Sequence, residues 1–364
     1  MPRDTPLAFT FFVKVGFSSR RVCLKQNQLD VMSTATESIE KQFDAAVYGL
    51  AIVDHSSVGR IEVTGADRLD LLHRLSTNNL LAGKPGGVIG TVFTTDKGRI
   101  VDYVYVLVRA ESLLLLTSPS NESNLVKWID KYTIMEDLHL NVVTDTTAQF
   151  TLVGPRAKEA AELASGVLLV HNQFAMVGLP FGKATITYRN EFQTDFVDFI
   201  VDEYASDDLR KLLLSNAGMS GLGIMGSNAF EPFRISRGIP SIGAELSDAF
   251  NPFEAGLLHA ISFNKGCYIG QEVIARLDTY QKIQKSLFGV VFPASTSGLK
   301  RGSTALCNKE EVGMLTSVSS QPVRRQLVGI GILKKHHVRT DDHVSIVCDG
   351  ITVQGILRPI PVVL

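Results

Sequence analysis

Gln149-Phe150-Thr151-Leu152-Val153-Gly154-Pro155 is the second occurrence of a pattern that the chain has used before, and that recurrence decides the fold. Alternating strand residues run into a glycine and then into a helix, Arg156 to Leu163. The same succession begins at Arg60-Ile61-Glu62-Val63-Thr64-Gly65, followed by a helix carrying Leu69, Leu72 and Leu75, and the two glycines stand 89 positions apart. Between the copies lie two apolar strands, Val101 to Val108 and Ser112 to Thr117, joined through Arg109-Ala110-Glu111. A helix follows that sets Leu125, Trp128, Ile129 and Tyr132 on one side, which completes a split β-α-β unit. After the second copy come strands at Lys183 to Tyr188 and Phe196 to Val201. A helix then opens at Ser206, a good N-cap, with Asp207 and Asp208 in its first turn, and closes at Gly218. From Ser286 the pattern shortens to strands at Leu287 to Phe292, Thr304 to Cys307, Leu327 to Leu333, Val344 to Val347 and Thr352 to Leu357, the spacing of a small β-barrel. The expected fold is therefore α+β: two related ferredoxin-like lobes, about 41–147 and 148–284, and a C-terminal barrel over 285–364.

Composition bounds the rest. A chain of 364 residues calls for two or three domains, and 45% hydrophobic with 20% charged residues fits a folded globular protein. With 36 basic against 37 acidic side chains there is no bulk field for nucleic acid or anionic membranes, so neither is expected as a partner. Cys23, Cys267, Cys307 and Cys348 form no C-x-x-C pair, which argues against a metal site or a disulfide framework and for a reducing compartment. Residues 1–40 read as an extension outside the folded part. Its first 32 residues are basic around the short apolar run Leu7 to Val15 and resemble an organellar transit peptide, while Met32 is an alternative start. A cytoplasmic location is expected, or the mitochondrial matrix if that segment is a transit peptide.

Lys265-Gly266-Cys267-Tyr268-Ile269-Gly270-Gln271-Glu272 places one thiol between glycines, a lysine and the start of a helix. A helix N-terminus and a nearby cation favour thiolate, so Cys267 is a candidate reactive group; a small buried side chain in a glycine-permitted turn is the plainer alternative. Asp102 sits inside the apolar strand Ile100-Val101-Asp102-Tyr103-Val104, where a carboxylate needs a partner or a ligand, unless it lies on an exposed strand face. Arg234, in Pro232-Phe233-Arg234-Ile235, can clamp a carboxylate or ring carbonyl bidentately, or form a structural ion pair. Gly221-Leu222-Gly223-Ile224-Met225-Gly226 follows a helix rather than a strand, so it reads as a turn and not as a dinucleotide site. His336, His337 and His343 lie in a charged loop, and His73 falls on the polar side of its helix.

The motif Lys265 to Glu272, with Asn251-Pro252-Phe253-Glu254-Ala255-Gly256-Leu257 before it and Arg276 after it, resembles the signature of the YgfZ family of folate-binding proteins, relatives of the glycine cleavage T protein. The likeness extends from about Tyr48 through Gly59 to Asp67, Gly98 to Asp102, Phe233-Arg234-Ile235 and the terminal barrel. The resemblance implies a three-domain ring whose central opening binds tetrahydrofolate. Asp102 would then address the pterin and Arg234 the cofactor's polar groups, with Lys265 and Tyr268 joining them as cofactor-binding residues. Cys267 would be the acting thiol in assembly or repair of 4Fe–4S clusters, alongside client or assembly proteins. The alternative is a tetrahydrofolate-dependent aminomethyltransferase or demethylase of the T-protein type. Two departures from the T protein stand out: its aspartate pair becomes Asp102-Tyr103, and its Gly-Tyr-Thr-Gly-Glu-Asp-Gly loop becomes Tyr188 to Asp195, with no clear equivalent of the folate-contacting glutamate.

Overall fold

A computed structural model describes residues 38–216, 224–279 and 283–364. Most of the expected 1–40 extension lies outside the described residues, as do Gly218 and the first three residues of the Gly221 to Gly226 run. The chain begins with α1 over 38–48, β1 (Ala51–Asp54), β2 (Val58–Thr64), α2 (Arg68–Leu75), β3 (Val88–Thr94), β4 (Ile100–Val108), β5 (Leu113–Pro119), α3 (Glu122–Asp130) and β6 (His139–Val142). It continues with β7 (Thr147–Val153), α4 (Ala157–Ser165), β8 (Gln173–Leu179), β9 (Gly182–Glu191), β10 (Thr194–Asp202), α5 (Ser206–Asn216), α6 (Ser227–Arg237) and α7 (Gln271–Thr279). The barrel strands are β11 (Lys285–Pro293), β12 (Thr304–Cys307), β13 (Glu310–Val318), β14 (Gln326–Lys334), β15 (His343–Cys348) and β16 (Ile351–Arg358).

Two antiparallel five-stranded sheets result, β3-β4-β5-β2-β6 and β8-β9-β10-β7-β1. Read in order, β2, β4 and β5 correspond to β7, β9 and β10, so the internal repeat is a repeat of structure. Its glycines are required in both copies. Gly65 has φ +104 and Gly154 φ +114, and a Cβ would lie 2.1 Å from the Asp137 carbonyl at one and 2.7 Å from the Ala46 carbonyl at the other. The place that β6 takes beside β2 is taken in the second sheet by β1, with Ala51 opposite Val153. Phe43 and Ala46 of α1 pack with Val153 and Phe196 as well. The boundary expected at 147 is thus crossed: the segment before β2 completes the second lobe, because its apolar strand finds the free edge of β7.

Strand parity divides each sheet into two faces. Val104 and Val106 of β4, with Ile61, Val63, Leu113 and Leu115, pack under α2 and α3. Phe150, Leu152, Val197 and Phe199 make the corresponding core of the second lobe. The opposite faces meet each other, where Leu107, Leu114 and Leu116 pack with Ile200. The helices are therefore outside and the two sheets face one another.

Some local expectations change. Ser206 has helical φ −56 and ψ −51, because a short 3-10 turn, Glu203–Ala205, precedes it; the extended residue at the helix entry is Asp202. His73 is buried rather than solvated, since the 258–270 segment lies over the end of α2. The barrel is closed, in the order β11-β14-β13-β12-β15-β16. Its strand β13 was not expected, because Glu310, Glu311 and Gly313 break the apolar alternation and the register shifts between Leu315 and Ser317.

Candidate functional site

A cavity of about 400 Å³ lies between the facing sheets. β4 and β5 contribute Tyr103, Tyr105, Leu116 and Ser118; β7, β9 and β10 contribute Gln149, Thr151, Arg189, Phe196 and Asp198; α6 and the segment after it contribute Phe230, Arg234 and Leu246. Its walls are largely apolar and aromatic, with a polar group concentrated on the second sheet.

That polar group is organised by Asp198, which is 1% exposed. Its carboxylate accepts from Thr151 Oγ1 at 2.7 Å, Gln149 Nε2 at 3.1 Å, Thr187 Oγ1 at 2.8 Å and Arg189 Nη2 at 2.7 Å. Burial alone would raise its pKa. The Arg189 guanidinium and the donated hydrogen bonds outweigh that, and hold the carboxyl below its usual range. Arg189 also stacks 3.8 Å from the centre of the Tyr105 ring, across from the first sheet. His55, just after β1, approaches Thr151 Oγ1 with Nδ1 at 2.8 Å and stands edge-on to Phe230 at 5.0 Å. Two buried atoms here have no partner: Gln149 Oε1 and Arg189 Nε.

A second cavity, of about 640 Å³, shares Tyr105 and Phe192 with the first. Glu191, at the end of β9, stands at this junction and accepts from the Tyr105 hydroxyl at 2.5 Å and the Tyr103 hydroxyl at 3.0 Å. The Tyr103 oxygen is 3.1 Å from His259 Nε2. Burial raises both tyrosine pKa values, so the hydroxyls stay protonated as donors. Together these groups form a hydrogen-bonded path between the cavities, suited to moving a proton.

Residues 10–265 match the family profile of the GCVT N-terminal domain, and they include both facing sheets and the cavity between them. The chain belongs to the GCVT family. GCVT relatives include a chloroplastic protein of Arabidopsis thaliana named a transferase, 31% identical over 88% of this chain and 73% of its own length. The aminomethyltransferase of Bacillus licheniformis is 28% identical over 85% of this chain and 86% of its own. Among solved structures, the glycine cleavage system aminomethyltransferase T from Bartonella henselae matches with a TM-score of 0.74 at 19% identity, covering 89% of each chain. That likeness is one of fold, and the GCVT fold is the three-part arrangement described above.

Within this GCVT fold the residues singled out from sequence fall in three different places. Asp102 is fully buried on the helix side of β4, opposite in parity to Tyr103 and Tyr105, and it does not line the cavity. Its oxygens accept from the backbone nitrogens of Tyr103 and Ser118, from Ser118 Oγ and from Asn121 Nδ2. Burial raises its pKa, and these hydrogen bonds partly offset the rise. Arg234 does line the cavity, with its donors committed: a bidentate pair to Glu231 at 2.7 and 2.5 Å, and single bonds to the Ile239 carbonyl and Ser317 Oγ. Lys265 is buried, and its ammonium donates to the carbonyls of His73, Ser76 and Asn78 at 2.5, 2.6 and 2.8 Å, stapling its loop to the C-terminus of α2. Tyr268 lies beneath it, with Lys265 Nζ 4.8 Å from the ring centre. Cys267 is exposed between these two anchors and lines neither cavity.

The sequence reading missed Asp198 although Phe196-Val197-Asp198-Phe199-Ile200 carries the same signal that marked Asp102, a carboxylate in an apolar strand. Thr185, Thr187 and Arg189 alternate on one face of β9 and mark that face as polar and buried. No helix among the described residues is long and apolar enough to cross a membrane. Among the same residues no group of three or more His, Cys, Asp or Glu side chains is placed to hold a metal ion.

Proposed function

We propose that this chain is a tetrahydrofolate-dependent one-carbon transferase of the aminomethyltransferase type, with the cavity between the sheets as its folate site. The observation that carries the reading is its relationship to an aminomethyltransferase over 85% of its length. The cavity supports it physically. Apolar and aromatic walls suit a flat heterocycle, and the unpaired Gln149 Oε1 supplies a buried acceptor that a pterin's N–H groups would satisfy. Bound there, tetrahydrofolate would supply the nitrogen that carries the one-carbon unit. Leu116, Phe196, Phe230 and Leu246 would exclude water from it, Arg189 and Tyr105 would fix its plane, and Tyr103, bonded to Glu191 and His259 of the second cavity, would carry a proton between the two. The test is transfer of the methylene carbon from an aminomethyl-lipoyl carrier protein to tetrahydrofolate, which frees the lipoyl thiol and releases ammonia. Folate-dependent turnover is expected; tight folate binding with no turnover would overturn the transferase reading.

One observation favours a second reading, a folate-binding accessory protein in assembly or repair of 4Fe–4S clusters: Cys267 is exposed in a loop stapled on either side. The thiol would then meet a client or assembly protein that holds most of the cluster. In cells lacking the endogenous protein, Cys267→Ser should fail to restore 4Fe–4S enzyme activity; full restoration would remove this reading.

A further inference from the structure

The hydrogens around Asp198 can be assigned one by one. Its oxygens, ionised beside Arg189, only accept. Thr151 has a single hydroxyl hydrogen, and the 2.7 Å contact with Asp198 Oδ1 uses it. Thr151 Oγ1 therefore has only lone pairs left for His55 Nδ1 at 2.8 Å, so Nδ1 must carry the hydrogen of that bond. A neutral imidazole protonated at Nδ1 offers a lone pair at Nε2. Burial keeps the ring neutral, lowering its pKa to about 4 against the opposing pull of Asp198 and Asp54. His55 lines the cavity, and its hydrogen bond to Thr151 runs through Nδ1, which leaves Nε2 as the ring's acceptor.

Gln149 is oriented by the same carboxylate. Its Nε2 donates to Asp198 Oδ1 at 3.1 Å, and Oε1 is left buried and unpaired in a residue 2% exposed. The two residues are neighbours, since the His55 amide donates to the Gln149 carbonyl at 2.9 Å.

We infer that His55 Nε2 and Gln149 Oε1 are a fixed pair of acceptors that select a ligand edge bearing N–H donors, such as the 2-amino-pyrimidinone edge of a pterin. The inference rests on the folate reading only for the identity of that heterocycle. The buried and unpaired Gln149 Oε1 is costly and the Nε2 lone pair of His55 can only accept, so a ligand presenting N–H groups is favoured and one presenting a carbonyl is rejected. Thr151 acts through His55 as a positioning residue, setting the tautomer that makes Nε2 an acceptor.

Two measurements on the full chain test this. In protein labelled with ¹⁵N-histidine, His55 should show the Nδ1–H tautomer and no protonation down to about pH 5. Thr151→Ser should keep that signature, and Thr151→Val should lose it. An Nε2–H ring, or one that titrates near the ordinary histidine value, would overturn the inference. Calorimetry with pterin and with lumazine, which carries a 2-oxo group in place of the 2-amino group, should give roughly tenfold to hundredfold tighter binding of pterin. His55→Phe and Gln149→Met should each reduce that ratio. Equal binding of the two probes, or no binding of pterin, would overturn the inference. If pterin is selected and tetrahydrofolate does not bind, the folate reading fails and the acceptor pair stands; if tetrahydrofolate binds and pterin is not preferred, the reverse holds.

Discussion

The guanidinium of Arg189, on β9 of one sheet, lies 3.8 Å from the centre of the Tyr105 ring, on β4 of the other, while its Nη2 donates to Asp198 at 2.7 Å. One side chain thus neutralises a buried carboxylate and spans the gap between the lobes. Arg189→Met leaves Asp198 buried without a cation, and should lower stability by about 3–5 kcal/mol in urea denaturation. Adding Asp198→Asn should recover part of that loss. An Arg189→Met effect of less than ~1 kcal/mol would show that the charge pair contributes little to stability.

Asp102 is a structural carboxylate by its geometry. Four donors converge on its two oxygens, and Asp102→Asn would turn an amide NH₂ toward some of them. The expected cost is about 1–3 kcal/mol of stability, with tetrahydrofolate affinity nearly unchanged. A large loss of affinity with intact stability would return Asp102 to the ligand site.

The pKa of His55 gives the pH dependence a definite sign. Its folded value, about 4, lies below the ordinary histidine value of 6.5, so the unfolded chain takes up the proton first as pH falls. The stability contributed by the neutral ring is full above pH 6.5 and is lost between about 6.5 and 4. Burial drives this shift; Asp198 and Asp54 oppose it, and Arg189 reinforces it. The drop in stability from pH 7 to pH 4.5 should be about 2 kcal/mol smaller in His55→Gln than in the natural chain, as read from denaturant midpoints at each pH. Parallel curves would mean that the ring titrates alike in both states.

Lys265→Met removes an ammonium from three backbone carbonyls. About 2–3 kcal/mol should be lost, and the Ile269 amide, now bonded to the Arg74 carbonyl, should exchange its hydrogen faster. Unchanged exchange at Ile269 would show that the loop around Cys267 is held by other contacts.

Much of the architecture was legible because it rests on local pattern. The strand–glycine–helix repeat at Gly65 and Gly154 follows from alternation and from a backbone turn that a Cβ would obstruct. The place of β1 in the second sheet was not legible, since nothing in Ala51–Asp54 says which free edge it will meet. The candidate site was legible only in part for a related reason. Asp102 and Asp198 give the same signal in sequence, and strand parity alone, fixed by the packing of the sheets, sends one under a helix and the other toward the cavity. Lys265 and Cys267 are two residues apart, yet one is buried against carbonyls and the other faces solvent.

The place of β1 at the edge of the second sheet has a consequence for synthesis. Ala51 leaves the ribosome 102 residues ahead of Val153, its partner in the sheet. At about 5–20 residues per second, that interval is roughly 5–20 s, during which the sheet around β2 can form while the segment before it waits unpaired. A nascent chain halted before β7 therefore carries an apolar strand with no edge to join, a natural point for a chaperone to hold it.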